Sequence, residues 1–411
     1  MKRIALISFH TCPLSGEEGK ETGGMNIYVL ETAKNLSKMG FLVDVFTRDQ
    51  DETKDKIVVV NPNFRVIHLD AGPKTNIPKK KLLCFIDEFV ESFKKFSKEE
   101  NITYDLLDCH YFLSGKIGLK IQKELKKTLP LIMTFHTLAL MKNLVAKTPE
   151  EQESIERIEI EKEIVKHASV IISPSETDKE YLKYLYGCKE EKIFVISPGV
   201  NVKLFKPMSK IEAKQKIGAD LNKKIILFVG RIEPLKGIDT LIYAIKILLE
   251  KKEHKDIMLW IVGGDISQRK ELWSEELQKL EALRKLLGIG CSVKFIGRKL
   301  PEELPFYYNA AEVAVVASQY ESFGMTALEA MACNTPVITT DVTGVSNILD
   351  EEHEALIGSA GNPLYLASQI EYLLENITKT NAISQNLYQK VQDLNWPNVT
   401  ERIIAVYKKF I

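Results

Sequence analysis

The sequence lacks most of the features that mark secreted, membrane-spanning or nucleic-acid-binding proteins. Its six cysteines include no C-x-x-C pair and no histidine nearby at metal-ligand spacing, so we expect buried thiols in a reducing compartment. No apolar run approaches the roughly 18 residues of a membrane-spanning helix, and the apolar start at Ile4–Ile7 is too short for a signal peptide. Basic and acidic residues balance at 56 each, which argues against a nucleic-acid partner. We therefore predict a cytoplasmic protein.

Motifs of several enzyme classes are also missing. No G-x-G-x-x-G follows the first predicted strand, so a nicotinamide or flavin site is not expected. The segment Gly16–Glu21 faintly resembles a phosphate-binding P-loop but lacks its first glycine and its final Ser or Thr. Asp49-Gln50-Asp51 spells a metal-binding D-x-D, yet it lies in an acidic turn that favours a solvated loop. The chain contains neither G-x-S-x-G nor H-E-x-x-H.

A repeated alternation of strand and helix patterns predicts the fold class. Short apolar runs alternate with helical stretches from Ile4 to Ile196, and the alternation restarts at Ile225. Between the two halves, Ser197–Asn201 carries the Pro and Gly of a crossover. Long helices are predicted over Lys79–Lys98, Pro149–His167 and Gln268–Leu287.

This organisation predicts an α/β protein with two Rossmann-like, parallel-sheet domains that face each other across a cleft. A chain of 411 residues suits two domains better than one. We place the first domain at residues 1–198, with the C-terminal helix at 396–411 packing back on it, and the second at 199–395. Ligands bind such sheets beyond the carboxyl ends of the strands, so the site is expected in the cleft.

The most informative stretch lies in the second half, at Ser318–Ala332. A predicted buried strand leads into a tight polar loop, and a helix starts near Ser322-Phe323-Gly324. Backbone N–H groups at a helix start favour a phosphate, whereas the flanking carboxylates of Glu321 and Glu329 are good acceptors for vicinal hydroxyls. The pattern indicates a ligand that is part phosphate and part sugar; the alternative is a solvated pair of surface carboxylates.

Two cations follow the first predicted strand of the same half. Arg231 stands at the strand end, and Lys236 stands at the entry of the next helix. Two cations beside a helix N-terminus would neutralise a diphosphate leaving group. A pair of solvated side chains is the alternative, which the position at the carboxyl end of a strand disfavours.

Two weaker signals lie in the first half. Gly23-Gly24 precedes a predicted helix and would let the backbone approach an anion, although a plain turn fits equally well. His136 and Thr137 follow a predicted strand, where a functional histidine and a purely structural one are both open.

Taken together, these motifs resemble the retaining GT-B glycosyltransferases of family 4. The resemblance rests on Arg231 with Lys236, on the E-x7-E from Glu321 to Glu329, and on the crossover at Gly199-Val200. It covers nearly the whole chain. It implies a GT-B fold, a nucleotide-diphosphate sugar as substrate rather than cofactor, and no essential metal, since the two cations neutralise the leaving group.

A narrower resemblance lies in the first half. His10–Leu14, Gly23–Val29 and Phe135–Leu138 are similar to the inositol-phosphate N-acetylglucosaminyltransferases that begin mycothiol synthesis, and bacterial sucrose-phosphate synthases are close relatives. Both branches use a phosphorylated polyol or sugar as acceptor. The resemblance therefore implies retaining transfer of a hexosyl group from UDP-glucose or UDP-GlcNAc to a hydroxyl of such an acceptor.

The resemblance also assigns residues to roles. The implied catalytic residues are His136, Arg231, Lys236 and Glu321. The implied donor-binding residues are Gly23, Gly24, Arg231, Lys236, Lys299, Glu321, Phe323, Gly324, Met325 and Glu329. The implied acceptor-binding residues are His10, Asn26, Lys79, Tyr111, Thr137 and Arg157, in which Lys and Arg would neutralise a phosphate dianion.

Other interpretations stay open. The basic, amphipathic stretch Lys79–Phe89 could touch anionic lipid, which would suit a lipid or polysaccharide acceptor, although a helix with one packed and one solvated face is favoured. The same architecture could bind a nucleotide sugar as a sensor or run an epimerase reaction. A homodimer is compatible with the sequence.

Overall fold

The computed structural model describes residues 1–14, 23–53, 55–125, 129–146, 148–341, 344–345 and 356–411. The P-loop-like segment Gly16–Glu21 lies outside these residues. The chain divides into two compact units, of which unit 1 is Met1–Pro198 with Trp396–Ile411 and unit 2 is Gly199–Asn395. No helix in the described ranges has the length and apolar content needed to span a bilayer.

Unit 1 is built on a sheet to which the described residues contribute eight strands. These are β1 (Arg3–Ile7), β2 (Leu42–Arg48), β3 (Ile57–Asn61), β4 (Phe64–Leu69), β5 (Leu106–His110), β6 (Leu131–Thr134), β7 (Val170–Ser173) and β8 (Ile193–Val195). Their order is β3-β4-β2-β1-β5-β6-β7-β8. The central strand β5 is buried at every position, as expected for a parallel strand covered on both faces.

Strand β3 is an addition to the predicted parallel sheet. It pairs antiparallel with β4 at the edge, whereas the other pairings in this sheet are parallel. The sequence pattern predicts a turn at Asn61-Pro62-Asn63 but no strand before it. Ile57–Val60 is a run of four apolar residues, yet every position of β3 is at least partly exposed, as at the edge of a sheet.

The helices of unit 1 before the crossover are α1 (Gly24–Lys38), α2 (Ile86–Glu99), α3 (Phe112–Leu125), α4 (Ala139–Val145), α5 (Ile155–His167) and α6 (Glu176–Tyr186). Two of the long helices predicted from sequence are shorter. Lys79–Phe85 forms a 3-10 segment before α2, and Pro149–Glu151 forms a separate 3-10 turn before α5. Helix α5 begins after Ser154, whose Oγ accepts the Arg157 N–H at 3.2 Å and so caps the helix.

Unit 2 has six described strands and seven helices in the same kind of alternation. Its elements are α7 (Lys210–Lys216), β9 (Lys224–Val229), α8 (Ile238–Glu250), β10 (Ile257–Val262), α9 (Glu275–Leu286), β11 (Val293–Gly297), α10 (Leu304–Ala310), β12 (Val313–Val316), α11 (Met325–Ala332), β13 (Val337–Thr340), β14 (Ile357–Gly358), α12 (Pro363–Glu375) and α13 (Ile377–Gln392). The strand order is β11-β10-β9-β12-β13-β14, with parallel pairing. The helix predicted from Gln268 begins only at Glu275, after the N-cap Ser274.

The last helix, α14 (Trp396–Tyr407), belongs to unit 1. It packs against α1, where the rings of Tyr28 and Trp396 meet edge to face with centroids 5.6 Å apart. Tyr407 is fully buried and its hydroxyl donates a hydrogen bond to Asp108 on β5. The C-terminal segment is therefore part of the packing of unit 1.

Candidate active site

Four of the predicted site residues follow the strands at which the order of each sheet reverses. In unit 1, β1 and β5 are neighbours although β2, β3 and β4 lie between them in the chain, and His10 and Tyr111 follow these two strands. In unit 2, β9 and β12 are neighbours in the same way, and Arg231 and Glu321 follow them. Such reversal points are where open α/β sheets bind ligands.

The loops after β9 and β12 are joined by an ion pair between Lys236 and Glu321. The Gln319 N–H also donates to the Leu235 carbonyl at 2.8 Å, so the backbones are joined as well. Arg231 contacts Glu233 instead, with Nη1 to Oε1 at 2.7 Å, and 43% of its side chain is exposed. Both predicted cations therefore lie in one loop, and each already faces a carboxylate.

Glycine is required where these two loops meet. Gly237 ends the 3-10 turn Pro234–Lys236 and precedes α8 with φ at +62°. A Cβ at this position would lie 2.1 Å from the carbonyl oxygen of Ala317, at the end of β12. Both the left-handed backbone and the close approach exclude a side chain here.

Helix α11 starts at the predicted phosphate site. Its N-cap is Gly324, with φ at +88°, and the carbonyl of Phe323 accepts the Val345 N–H at 2.9 Å. The N–H groups of the first turn, from Met325 onward, carry the positive end of the helix dipole. No acidic side chain lies in that first turn, so the dipole is not neutralised locally.

Glu329 is buried within α11, with 7% of its surface exposed. Burial raises the pKa of its carboxyl to about 7, although the Tyr308 hydroxyl, which donates to Oε2 at 2.7 Å, acts in the opposite direction. The carboxyl is consequently shared between its protonated and ionised forms near neutral pH.

Lys299 lies apart from these contacts. It follows β11 and faces the start of α10, with Nζ 3.4 Å from Glu303 and 5.8 Å from the ring centre of Tyr307. Among the described residues, the structure records no contact that joins Lys299 to Arg231 or Glu321.

In unit 1, three of the predicted acceptor residues gather around the ring of a fourth, Tyr111. The ring of His10 lies 4.6 Å from it between centroids. The Lys79 ammonium and the Arg157 guanidinium lie 5.7 Å and 4.9 Å from its centre. These cation–ring contacts place two positive charges at one strand-end position.

Arg157 is the buried centre of this cluster, with 2% of its side chain exposed. Its Nε donates to Glu161 at 2.8 Å, its Nη1 to the Tyr111 hydroxyl at 3.1 Å and its Nη2 to the Thr137 carbonyl at 3.1 Å. Glu153 lies 2.9 Å from Nη1. Burial lowers the pKa of the guanidinium, but Tyr111, Glu161 and Glu153 outweigh that effect and hold the pKa above its ordinary value.

Asn26 ties the start of α1 to the loop after β1. Its Nδ2 donates to the Thr11 hydroxyl and to the Cys12 carbonyl, both at 2.9 Å. Its N–H donates to the Gly23 carbonyl at 3.0 Å, which fixes the Gly23-Gly24 turn at the helix start. The side chain is 5% exposed, so it shapes the loop from beneath the surface.

His136 follows β6, the strand beside β5. Its backbone has φ at +60°, an uncommon conformation for a residue with a side chain. Burial lowers the pKa of its imidazole well below the ordinary value, and His110 and His10 lower it further. The ring is therefore neutral at physiological pH, and its Nε2 lies 3.0 Å from Nδ1 of His110.

Sequence reasoning did not single out three residues that this arrangement uses. His110 contacts His136, Glu161 holds Arg157, and Tyr308 donates to Glu329. A histidine and an aspartate in a strand whose other residues are apolar were an available signal for His110. Glu161 and Tyr308 lie inside helices, where nothing local distinguishes them from other helix residues.

One described group of side chains has the spacing of metal ligands, namely His254, Glu371 and Glu375 in unit 2. Lys251 already neutralises Glu371, with Nζ 2.6 Å from Oε1. The group also lies outside the loops that carry the predicted site, so it adds no metal to that site.

Comparison with known proteins identifies the family to which this chain belongs. Residues 209–390 match the family described as Glycosyl transferases group 1, and residues 22–204 match Glycosyltransferase Family 4. D-inositol 3-phosphate glycosyltransferase of Corynebacterium efficiens is 31% identical over 410 residues, which cover 99% of this chain and 95% of that protein. The chain is a family 4 glycosyltransferase.

Two further relatives agree with this membership. The D-inositol 3-phosphate glycosyltransferase of Corynebacterium jeikeium is 32% identical, over 99% of this chain and 96% of that protein. The solved sucrose-phosphate synthase of Thermosynechococcus elongatus is 31% identical and superposes with a TM-score of 0.90, covering 100% of this chain and 99% of that one. The two α/β units of this glycosyltransferase therefore have the GT-B fold. The family predicted from the sequence motifs is confirmed.

Proposed function

We propose that this glycosyltransferase moves a hexosyl group, with retention, from a UDP-sugar to a hydroxyl of a phosphorylated sugar or polyol. Glucose and N-acetylglucosamine are the two donor sugars that fit the resemblance. One observation carries the proposal. A chain similar along its whole length to inositol-phosphate glycosyltransferases gathers Lys79, Tyr111 and Arg157 into one cluster at the strand ends of unit 1.

The donor half of the proposed site belongs to unit 2. Arg231 and Lys236 stabilise the departing diphosphate, whose charge exceeds that of the carboxylates that they now contact. Lys236 then releases Glu321, which becomes available to the hydroxyls of the sugar. The backbone N–H groups at Phe323-Gly324-Met325 bind phosphate, as helix starts do.

The remaining donor contacts follow from burial and position. In the proposed complex, Glu329 accepts hydrogen bonds from the ribose hydroxyls, and Lys299 adds positive charge at the end of β11. Gly23 and Gly24 let the start of α1 approach the diphosphate closely. No metal is required in this scheme, because the two cations supply the neutralising charge.

The proton transfer in the proposed reaction needs no side chain as base. The bond between the anomeric carbon and the diphosphate breaks, and the acceptor oxygen bonds to that carbon on the same face. The acceptor proton passes to an oxygen of the departing phosphate. His136, neutral at physiological pH, contacts the donor sugar near the reacting centre.

The acceptor half of the proposed site belongs to unit 1. Lys79, whose side chain is only partly buried, supplies positive charge to the acceptor phosphate. Arg157 acts with it through Tyr111 and Thr137, both of which it holds by hydrogen bonds. His10 and Asn26 complete the loop at the end of β1.

The donor half is tested with Arg231→Ala in steady-state assays that follow UDP release from UDP-glucose and UDP-GlcNAc. We expect kcat to fall about 10²- to 10³-fold with the fold intact, because stabilisation of the leaving group is lost. Arg269→Ala removes an exposed arginine from the same unit and serves as the control. Equal activity of the two variants would refute the donor assignment.

The acceptor half is tested by offering inositol phosphate, fructose 6-phosphate and the matching unphosphorylated polyols. Lys79→Ala should raise the KM for a phosphorylated acceptor, whereas Lys80→Ala, an exposed neighbour, should not. If Lys79→Ala and Lys80→Ala behave alike, the phosphate-binding role is wrong. Release of UDP without any acceptor distinguishes a transferase from a binding protein, and sedimentation with lipid vesicles tests a lipid acceptor.

A further inference from the structure

A line of buried polar side chains connects His136 to the C-terminal helix. His136 Nε2 lies 3.0 Å from His110 Nδ1, and His110 Nε2 lies 3.5 Å from Asp108 Oδ2. The hydroxyl of Tyr407 donates to the same Asp108 oxygen. The four residues come from the end of β6, from β5 and from α14, three segments that are distant in the chain.

The chemistry of the line fixes where its protons lie. His110 and Asp108 are 0% and 2% exposed, and no hydrogen bond to His110 Nε2 is recorded among the described residues. A lone pair on Nε2 would face the carboxylate and be repelled by it, so the Nε2 proton points at Asp108. This orientation makes Nδ1 of His110 the acceptor in the 3.0 Å contact, to which His136 donates through Nε2–H.

The consequence for His136 is a defined tautomer. With Nε2 protonated, Nδ1 of His136 keeps its lone pair and can accept a hydrogen bond from a hydroxyl. The groups packed around this imidazole are His110 from β5, His10 from the loop after β1 and Tyr28 from α1, whose ring lies 5.2 Å away. Burial and the two histidines lower the pKa of His136, which agrees with a neutral ring.

The backbone of this region shows that the orientation of His136 is held by its surroundings. His136 at φ +60° and Tyr111 at φ +75° both adopt the left-handed conformation, which is unfavourable for residues with a side chain. Such conformations persist only when the surroundings hold them. The Tyr111 N–H donates to the Thr134 carbonyl at 2.9 Å, and the His110 ring holds the side chain of His136.

We propose that His110, oriented by Asp108 and Tyr407, is a positioning residue that sets the ring orientation and the tautomer of His136. The inference rests on the proposed function, because the role of His136 in transfer is part of it. It also gives the C-terminal helix a place in the reaction, since α14 supplies the hydroxyl at the end of the line.

A variant of Tyr407 and a matched control variant distinguish this positioning role from simple packing. Tyr407→Phe keeps the ring and removes the hydrogen bond to Asp108. Tyr104→Phe is the matched control, because the Tyr104 hydroxyl also donates to a buried aspartate, Asp44 at 2.8 Å, in the same unit. We expect Tyr407→Phe to lower kcat about 10-fold with KM little changed, as for residues that orient a functional histidine, and Tyr104→Phe to leave kcat unchanged.

Variants of His110 test the acceptor itself. His110→Leu removes the acceptor and should lower kcat about 100-fold, whereas His110→Asn can place an amide oxygen near the position of Nδ1 and should restore part of the activity. The positioning role is overturned if the kcat of His110→Asn is no higher than that of His110→Leu. It is also overturned if Tyr407→Phe and Tyr104→Phe each lower kcat in proportion to the decrease in their melting temperature.

The tautomer is read directly and without substrate by ¹⁵N NMR of histidine-labelled protein. We expect Nε2 of His136 to be protonated and Nδ1 unprotonated in the wild type, and this preference to be lost in His110→Leu. A protonated Nδ1 in the wild type would overturn the inference. This measurement does not require glycosyl transfer. A failure of the proposed function and a failure of the positioning role of His110 therefore give different results.

Discussion

Glu329 shows how one residue can be placed for a ligand at a cost to the free protein. Its carboxyl is buried in unit 2, where the Tyr308 hydroxyl is the one described side-chain donor that compensates the ionised form. Burial raises its pKa from 4.5 in the unfolded chain to about 7 in the folded protein. Folding is therefore unaffected by Glu329 below pH 4.5 and is progressively opposed between pH 4.5 and 7, where the unfolded chain ionises first.

Glu329→Gln should remove this pH-dependent penalty. At pH 4 the free energy of unfolding of the variant should lie close to that of the wild type, and above pH 7 it should exceed it by about 3 kcal/mol, from 1.36 kcal/mol per pKa unit. Urea denaturation at a series of pH values measures the difference. A constant difference across this range would mean that Glu329 does not titrate as a buried carboxyl.

At the scale of elements, the contact between the β9 and β12 loops decides whether Lys236 and Glu321 meet. That contact depends on Gly237, where a Cβ would strike the Ala317 carbonyl. Gly218, at the end of α7, has nearly the same backbone, with φ at +63°, but nothing lies within 4 Å of a Cβ built there. Comparing the two glycines therefore distinguishes the cost of the left-handed backbone from the cost of a steric clash at Cβ.

Gly218→Ala should lower the free energy of unfolding by about 1 kcal/mol, the cost of a left-handed alanine. Gly237→Ala should lower it by about 2–4 kcal/mol, because overpacking against a backbone carbonyl adds to that cost. It should also weaken UDP binding, which Gly218→Ala should not. Thermal denaturation and calorimetric titration with UDP give both values, and similar effects of the two variants would show that the loops can separate without penalty.

At the scale of the whole molecule, the chain returns to its first unit at the end. Helix α14 buries large side chains in unit 1, among them Trp396, Val399, Ile403 and Tyr407. Each such side chain contributes roughly 1.5–3 kcal/mol when fully buried. Unit 1 therefore depends on residues that follow unit 2 in the chain.

A chain that ends at Asn395 should accordingly lose stability in unit 1 alone. Hydrogen exchange should become faster in α1, which packs on α14, while α8 in unit 2 keeps its wild-type protection. Mass spectrometry of exchanged peptides measures both helices in one sample. Unchanged protection of α1, or equal loss in α8, would contradict the assignment of α14 to unit 1.

Local residue patterns were enough to predict much of the fold and the membership in the family. Parallel strands buried on both faces leave unbroken apolar runs, and Ile225–Val229 is predicted from such a run within one residue of β9. The E-x7-E from Glu321 to Glu329 is equally local, because one loop and one helix carry it. Strand β3 was not predicted although Ile57–Val60 is such a run, and only the structure shows that it pairs antiparallel with β4 at the sheet edge.

The contacts within the candidate site could be predicted from the sequence only in part. Arg157 and Thr137 were grouped by resemblance, yet nothing in the sequence indicates that one donates to the other or that Glu153 and Glu161 hold both faces of the guanidinium. Contacts of this kind join residues from different elements. Their energies depend on burial and distance, which local patterns do not contain.

The sequence by itself determined the alternation of strands and helices, the family, and the residues at the strand ends, because these depend on spacing along one stretch of chain. Only the tertiary structure decided which strand ends are neighbours, and so which side chains meet. It paired Lys236 with Glu321, buried Glu329 beside Tyr308, and joined His136 through His110 and Asp108 to Tyr407. Burial then raises the pKa of Glu329 and lowers the pKa of His136.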